Sequence, residues 1–264
     1  MMRYCRFQTE DGPQYGEVAE RDGDLWMVRV IAPPPEDWSV VRLIKEFAAR
    51  PVSQLKLLAP VTPSKIVCIG RNYHDHAAEL GNEVPKEPLL FLKAPSSVIG
   101  PGAAIRLPAI SQRVDFEGEL GVVIACTCHK LKADEDVRSY IRGYTIVNDV
   151  TARDLQNSDG QWSRAKGFDT FCPVGPFVVE NIDPGKGVSI TTRLNGKVKQ
   201  NGSTRNLIFD VATLLRYISA AMTLNPGDLI PTGTPAGVGP MQPGDTVEVE
   251  IEGVGVLRNP IVAD

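Results

Sequence analysis

The stretch "VDFEGELGVVI", residues 114–124, places Asp115, Glu117 and Glu119 at alternate positions directly ahead of an apolar run that reads as a buried strand. Side chains two apart on a strand share a face, so Glu117 and Glu119 point the same way, with Asp115 behind them if the strand extends that far. Parallel carboxylates repel, and such a cluster destabilises a fold unless something positive sits among them. A second segment, "YTIVNDVTARDLQ" at 144–156, is an apolar strand that ends on Asp149. Glu117, Glu119 and Asp149 together would form an all-oxygen set suited to Mg²⁺ or Mn²⁺, with water or substrate filling the remaining positions. The competing reading is a solvated edge strand with outward acids. Glu-x-Glu alone is a common pattern and favours that alternative.

A third segment shifts the balance. In "GRNYHDHAAEL", His76 and Glu79 stand three apart, so on a helix they share a face and can hydrogen-bond. A histidine steered by a carboxylate is a ready general base for activating water. His74 faces elsewhere and reads as surface. Further along, Arg153 and Gln156 follow Asp149, "RAKGFDTFCPVGP" supplies Lys166, and "PTGTPAGVGP" supplies Thr234 in a threonine-glycine turn. Arg153 and Lys166 can bind a carboxylate or stabilise an enolate oxygen; each alone could equally be a surface cation. The glycine-rich "GTPAGVGPMQPG" lacks the Lys-Ser/Thr ending of a P-loop and the third glycine of a dinucleotide fingerprint.

The elements that must position these groups are mostly strands. "KIVCIG", "LLFLKAPSSVIGPG", "GELGVVIACT", "IRGYTIVNDVT" and "GDTVEVEIEGVGVLRN" read as strands, and "LNGKV" carries an Asn-Gly hairpin signal. "IFDVATLLRYISAAM" is an amphipathic helix, and a short helix is expected at "ADEDVRSYI". No regular β-α alternation appears, which argues against Rossmann and TIM-barrel plans. The expectation is a mainly β (α+β) protein, a sandwich or roll with a few covering helices. Residues 1–58 read as a small N-terminal β-rich domain, with "DWSVVRLIKEFAAR" carrying helical spacing, and residues 59–264 as the larger body, with a linker near 58–65.

Length and composition set the outer limits. The 264 residues, 42% apolar and 23% charged, suit a globular protein, and the net charge of −4 offers no basic footprint for nucleic acid. No stretch approaches the roughly 20 apolar residues that span a bilayer, and "MMRYCRFQTEDG" lacks the apolar core of a secretory signal. A cytoplasmic enzyme or binding protein is the expectation. The five cysteines are odd in number and scattered, unlike a disulfide framework, and "CTCH" at 126–129 lacks the second half of a zinc site.

Six blocks, "KIVCIGRNYHDHAAELG", "EPLLFLKAPSSVIGPG", "DFEGELGVVI", "GYTIVNDVTARDLQ", "AKGFDTFCPVGP" and "LIPTGTPAGVG", occur in the order characteristic of the fumarylacetoacetate hydrolase family, over about residues 60–258. The N-terminal module resembles the small extra domain of many bacterial members. The resemblance implies a mixed β-sandwich roll, usually a homodimer, holding Mg²⁺ or Mn²⁺, with Ca²⁺ as a possible occupant. It implies Glu117, Glu119 and Asp149 as metal ligands and His76 with Glu79 as the base dyad of the acylpyruvase and oxaloacetate decarboxylase branch. It further implies a lid at about 72–87, and Arg153, Gln156, Lys166 and Thr234 around the substrate. The chemistry that fits is hydrolysis or decarboxylation of small 2-oxo (β-diketo) acids through a metal-bound enolate stabilised also by Lys166. The alternative is a 2-hydroxyhepta-2,4-diene-1,7-dioate isomerase or 5-carboxymethyl-2-oxo-hex-3-ene-1,7-dioate decarboxylase of aromatic-acid breakdown. Binding of a metal and a small acid without turnover is a third reading, which the presence of His76, Glu79 and Lys166 argues against.

Overall fold

A computed structural model describes residues 2–40, 42–75 and 84–264. Among these, strands dominate and assemble into three sheets. The largest follows the order Arg50–Pro51, Asp24–Ile31, Gly12–Arg21, Arg3–Thr9, Cys172–Val179, Ile141–Asn148, Gly118–Ile124, Leu229–Pro231, Ile66–Gly70 and Leu89–Lys93. A five-stranded sheet runs Lys197–Ser203, Ser189–Leu194, Thr246–Ile251, Gly255–Ala263 and Ile105–Leu107. A three-stranded ribbon joins Thr151–Ala152, Val114–Phe116 and Gly239–Pro240. The mainly β class and the sandwich expected from the strand-rich pattern are what the chain adopts.

The two larger sheets share one core. Leu120, Ile146 and Phe177 of the first meet Ile190, Val249 and Leu257 of the second in a single buried cluster. The strand Thr246–Ile251 buries every second residue, the signature of a half-covered strand. The strand Gly118–Ile124 is buried along its whole length, because a second cluster covers its other face. Leu120, Val122 and Ile124 face the sandwich core, whereas Val123 packs with Val147, Val174 and Leu229 on the opposite side. By alternation, Glu119 lies on the Val123 face, away from the sandwich core.

The N-terminal strands extend the large sheet. Arg3–Thr9 pairs antiparallel with Cys172–Val179, in the register Arg3↔Val179 and Tyr4↔Val178. The hairpin signal is realised at Asn195 and Gly196, both at positive φ, between paired strands that close at Leu194↔Lys197. The amphipathic helix spans Val211–Ala221 and is capped by the Asp210 carboxylate, which accepts from the Thr213 N–H at 2.7 Å. The short helix expected near 133–141 is a single 3-10 turn, Val137–Tyr140.

The helical spacing in "DWSVVRLIKEFAAR" misleads. None of the described residues between 37 and 49 is helical. Prolines at 33–35 and at 51 bracket the segment, and Phe47 is drawn into an edge-on contact with Phe7, ring centroids 5.4 Å apart. Tertiary docking of single side chains outweighs a short run of helical periodicity. Among the described residues, no helix is long and apolar enough to cross a membrane.

Candidate active site

Two strands of the large sheet break at the same level, and the acids sit at the breaks. Val114–Phe116 belongs to the ribbon and Gly118–Ile124 to the large sheet, so Glu117 is the residue at which the chain passes from one to the other. Ile141–Asn148 likewise stops before Asp149, whose N–H donates to the Glu117 carbonyl at 2.8 Å. The Asn148 side chain closes the junction by accepting from the Glu117 N–H at 2.9 Å. Gly118 is required there: a Cβ would lie 2.3 Å from Thr192 Oγ1. Neither acid is on a regular strand; their backbones hold each other.

Glu117, Glu119 and Asp149 are buried, and each offers an oxygen within 4.8 Å of those of the other two. The solvated-edge reading is thereby excluded. Asp115 points elsewhere; it is fully buried and pairs with Arg153 Nε at 2.9 Å and Arg113 Nε at 2.9 Å. The positive charge that the acids need is supplied in part by the chain itself. Lys166 Nζ donates to Glu117 at 2.9 Å and to Asp149 at 2.6 Å. Arg153 Nη2 donates to Glu117 at 2.5 Å. Lys93 Nζ donates to the other oxygen of Asp149 at 2.6 Å and to the Val150 carbonyl at 3.1 Å.

Electrostatics follow from this packing. Burial, reinforced by the charges of Asp149 and Glu117, raises the Glu119 carboxyl well above the usual range, although the Gly233 N–H donates to it at 2.8 Å. Burial pulls Lys166 down, but Asp149 and Glu117 more than offset it, so its pKa is raised and the ammonium stays protonated. Lys166 is therefore a cation and hydrogen-bond donor rather than a base. Arg153 is raised for the same reason, the carboxylates of Glu117 and Asp115 outweighing burial.

The donor set fits a hard divalent cation. It is all oxygen, buried and acidic, and a carboxylate offers more acceptor sites than a single N–H occupies. The repulsion that raises Glu119 is the same repulsion that a bound cation would relieve.

These groups line a cavity of about 480 Å³. Glu117, Glu119, Asp149, Arg153, Gln156, Lys166 and Thr234 all contribute to its wall. The helix Arg153–Asp159 presents Arg153 and Gln156 on one face, with Arg153 Nη1 donating to Gln156 Oε1 at 2.6 Å. Thr234 donates to the Gly118 carbonyl at 2.9 Å and accepts from Gln200 Nε2 at 2.7 Å. Its hydroxyl thus locks the 118 and 234 loops together. His76 and Glu79 lie outside the described residues, as does the 76–83 part of the expected lid. His74 is exposed.

Some residues of the site escaped the sequence reading. Lys93 is the main one: it closes the apolar run "LLFLK" just as Asp149 closes "YTIVND", and a charge ending an apolar run was the available signal. Phe91 and Trp162 form an aromatic wall, ring centroids 5.2 Å apart, with Lys166 Nζ 4.8 Å from the Phe91 centroid. Arg71 also lines the cavity. Beside it Asn72 is fully buried, and its amide donates to the Thr232 carbonyl at 2.8 Å and the Phe209 carbonyl at 3.1 Å.

Comparison with known proteins is consistent with this geometry. Residues 65–262 match the family model described as fumarylacetoacetate (FAA) hydrolase C-terminal. Protein Rv2993c of Mycobacterium tuberculosis is 53% identical over 270 residues, covering 99% of this chain and 98% of that protein. Oxaloacetate tautomerase fahd2, mitochondrial, of Xenopus laevis is 44% identical over 222 residues, covering 80% of this chain and 69% of that protein. The crystal structure of 2-hydroxyhepta-2,4-diene-1,7-dioate isomerase from Mycobacterium marinum has a TM-score of 0.87 and 44% identity, covering 100% of this chain and 99% of that one.

Proposed function

The chain belongs to the fumarylacetoacetate hydrolase family, and on that premise we propose that it is a divalent-metal-dependent C–C bond hydrolase or decarboxylase. Its substrates are small 2-oxo acids, acylpyruvates or oxaloacetate, and its intermediate is the enolate of pyruvate. One observation carries this reading: three buried carboxylates converge within 4.8 Å at the wall of a cavity that also holds a protonated lysine.

When bound among Glu117, Glu119 and Asp149, Mg²⁺ or Mn²⁺ supplies Lewis-acid polarisation of the 2-oxo carbonyl. Lys166 has one N–H left after serving Glu117 and Asp149, and this donates to the oxygen that gains negative charge. Gln156 accepts from Arg153 through its carbonyl, which leaves its amide N–H groups for the substrate carboxylate. Arg153 is committed to Asp115, Glu117 and Gln156, and so positions them.

For an acylpyruvate, water loses its proton to His76, which Glu79 orients, and the hydroxide adds to the C4 carbonyl. The C3–C4 bond then breaks with its electron pair on C3, releasing a carboxylic acid and the enolate, which takes a proton to become pyruvate. For oxaloacetate, the same bond breaks with loss of CO₂ and no attacking water. The assignment of His76 and Glu79 rests on the motif match.

A second reading is keto–enol tautomerisation of oxaloacetate, which moves a proton between C3 and the carbonyl oxygen and breaks no C–C bond. The Xenopus relative, named an oxaloacetate tautomerase, favours it. One assay separates the readings. Purified protein with Mg²⁺ or Mn²⁺ is given oxaloacetate, acetylpyruvate or 2-hydroxyhepta-2,4-diene-1,7-dioate, and NMR follows pyruvate release and the keto–enol ratio. Pyruvate formation that disappears in His76→Ala supports the hydrolase or decarboxylase. Keto–enol equilibration without pyruvate supports the tautomerase, and conversion of the diene diacid alone supports an isomerase. No metal-dependent change in any substrate overturns the enzymatic reading.

A further inference from the structure

Arg71 is a cation that the chemistry above leaves unused. It lines the cavity, is half-buried, and follows the last residue of the strand Ile66–Gly70. Its backbone sits at φ 56°, in the left-handed region that a non-glycine residue adopts at a cost of about 1–2 kcal/mol. The flanking residues hold it there. Asn72 accepts from the Phe209 N–H at 2.8 Å through its side chain and from the Ile208 N–H at 2.9 Å through its carbonyl. Tyr73 is bridged to Leu207. Gly70 is packed so closely that a Cβ would lie 2.9 Å from the Trp162 ring.

The other cations of the cavity wall have acidic partners. Lys166 holds Glu117 and Asp149, Arg153 holds Asp115 and Glu117, and Arg113 holds Asp115. Among the described residues, Arg71 has no acidic partner. A half-buried guanidinium on a strained turn, with no counter-charge among the described residues, is chemically suited to pair with an anion. Among the described residues, four cationic side chains but only three acids line the cavity. Adding a divalent cation at the acids makes the pocket more positive still, a field that favours a dianion over a monoanion.

We infer that Arg71 is a specificity-determining residue that binds a second carboxylate, at the end of the substrate away from the metal-binding acids. The enzyme is thereby selective for dicarboxylic 2-oxo acids over those with a neutral tail. This rests on the proposed reading, in which the 2-oxo acid head lies among Glu117, Glu119, Asp149 and Lys166. The Phe91–Trp162 wall provides apolar cover for the carbons between the two ends.

The test uses two ligands that the enzyme does not need to turn over, 2-oxoglutarate and 2-oxopentanoate. They share the 2-oxo acid head and the chain length and differ in the terminal carboxylate. Binding is measured calorimetrically with saturating Mg²⁺ or Mn²⁺. The wild-type chain binds the diacid about tenfold or more tightly than the monoacid, the size expected of one charge-assisted contact. Arg71→Asn, whose side chain tolerates the left-handed backbone, abolishes that preference and leaves 2-oxopentanoate affinity unchanged, while Arg71→Lys retains part of it. Equal binding of both ligands by the wild-type chain overturns the role of Arg71 and leaves the 2-oxo acid reading standing. Persistence of the diacid preference in Arg71→Asn does the same. Binding of neither ligand in the presence of metal overturns the 2-oxo acid reading, and the inference with it.

Discussion

The Lys93 ammonium meets the Asp149 carboxylate at 2.6 Å, with both side chains wholly removed from solvent. Lys93 sits at the end of the strand Leu89–Lys93 and Asp149 just beyond the strand Ile141–Asn148, which are not neighbours in the sheet. The pair therefore ties two separated parts of the sheet together under the candidate metal site. Lys93→Met should destabilise the metal-free protein by about 3 kcal/mol, because it leaves a buried carboxylate with less compensation. Urea unfolding measures this, and the double variant Lys93→Met/Asp149→Asn should recover part of the loss. A single variant as stable as wild type would show that the pair contributes nothing.

Glu119 has a backbone N–H as its hydrogen-bond donor, whereas Lys166 serves both Glu117 and Asp149. Glu119→Gln should weaken Mn²⁺ binding at least about tenfold, since a neutral amide replaces a charged ligand. Titration followed by electron paramagnetic resonance gives the affinity directly. Unchanged Mn²⁺ affinity removes Glu119 from the ligand set.

Gly118 lies where the ribbon and the large sheet meet the five-stranded sheet. An added Cβ would approach Thr192 Oγ1 to 2.3 Å and Val249 Cγ1 to 2.9 Å. Gly118→Ala should cost about 1–3 kcal/mol through overpacking. Thr192→Ala in the same chain should restore part of it by removing the nearest obstructing atom. Thermal unfolding of the two variants tests this, and full stability of Gly118→Ala alone would refute the close approach.

Asp37 gives the N-terminal strands a pH dependence. Its carboxylate accepts from Tyr15 Oη at 2.7 Å, Ser39 N–H at 2.9 Å and Ser39 Oγ at 2.5 Å, and pairs with Arg6 Nε at 2.8 Å. Burial pushes the carboxyl up, but the Ser39, Tyr15 and Arg6 contacts outweigh it and its pKa is lowered. A carboxylate depressed in the folded state contributes stability that is present above its unfolded pKa of about 3.9 and is lost as pH falls through the folded value. Asp37→Asn should therefore reduce stability at neutral pH by about 1.5–3 kcal/mol and flatten the acid limb of the stability curve below about pH 4. An acid limb identical to wild type would remove Asp37 as its source.

The sequence by itself determined the β class, the hairpin at Asn195–Gly196, the helix around 211–221 and the acids Glu117, Glu119 and Asp149. These are local signals: an alternation of two, a turn dipeptide, a 3.6-residue period, a charge closing an apolar run. The false helix in 37–50 shows the limit of the same reasoning, since the docking of Phe47 on Phe7 has no local signature. Tertiary structure alone decided which cations enter the acid cluster and which stay outside it. Lys93 reaches Asp149 across 56 positions and Arg153 reaches Glu117 across 36, whereas Asp115, two residues from Glu117, turns away into its own arginines. A strand's period sets which face a side chain takes, but the partner on that face arrives from wherever the sheet order brings another strand. The pairing of Arg3–Thr9 with Cys172–Val179, and the lack of an acidic partner for Arg71 among the described residues, belong to that second kind of information.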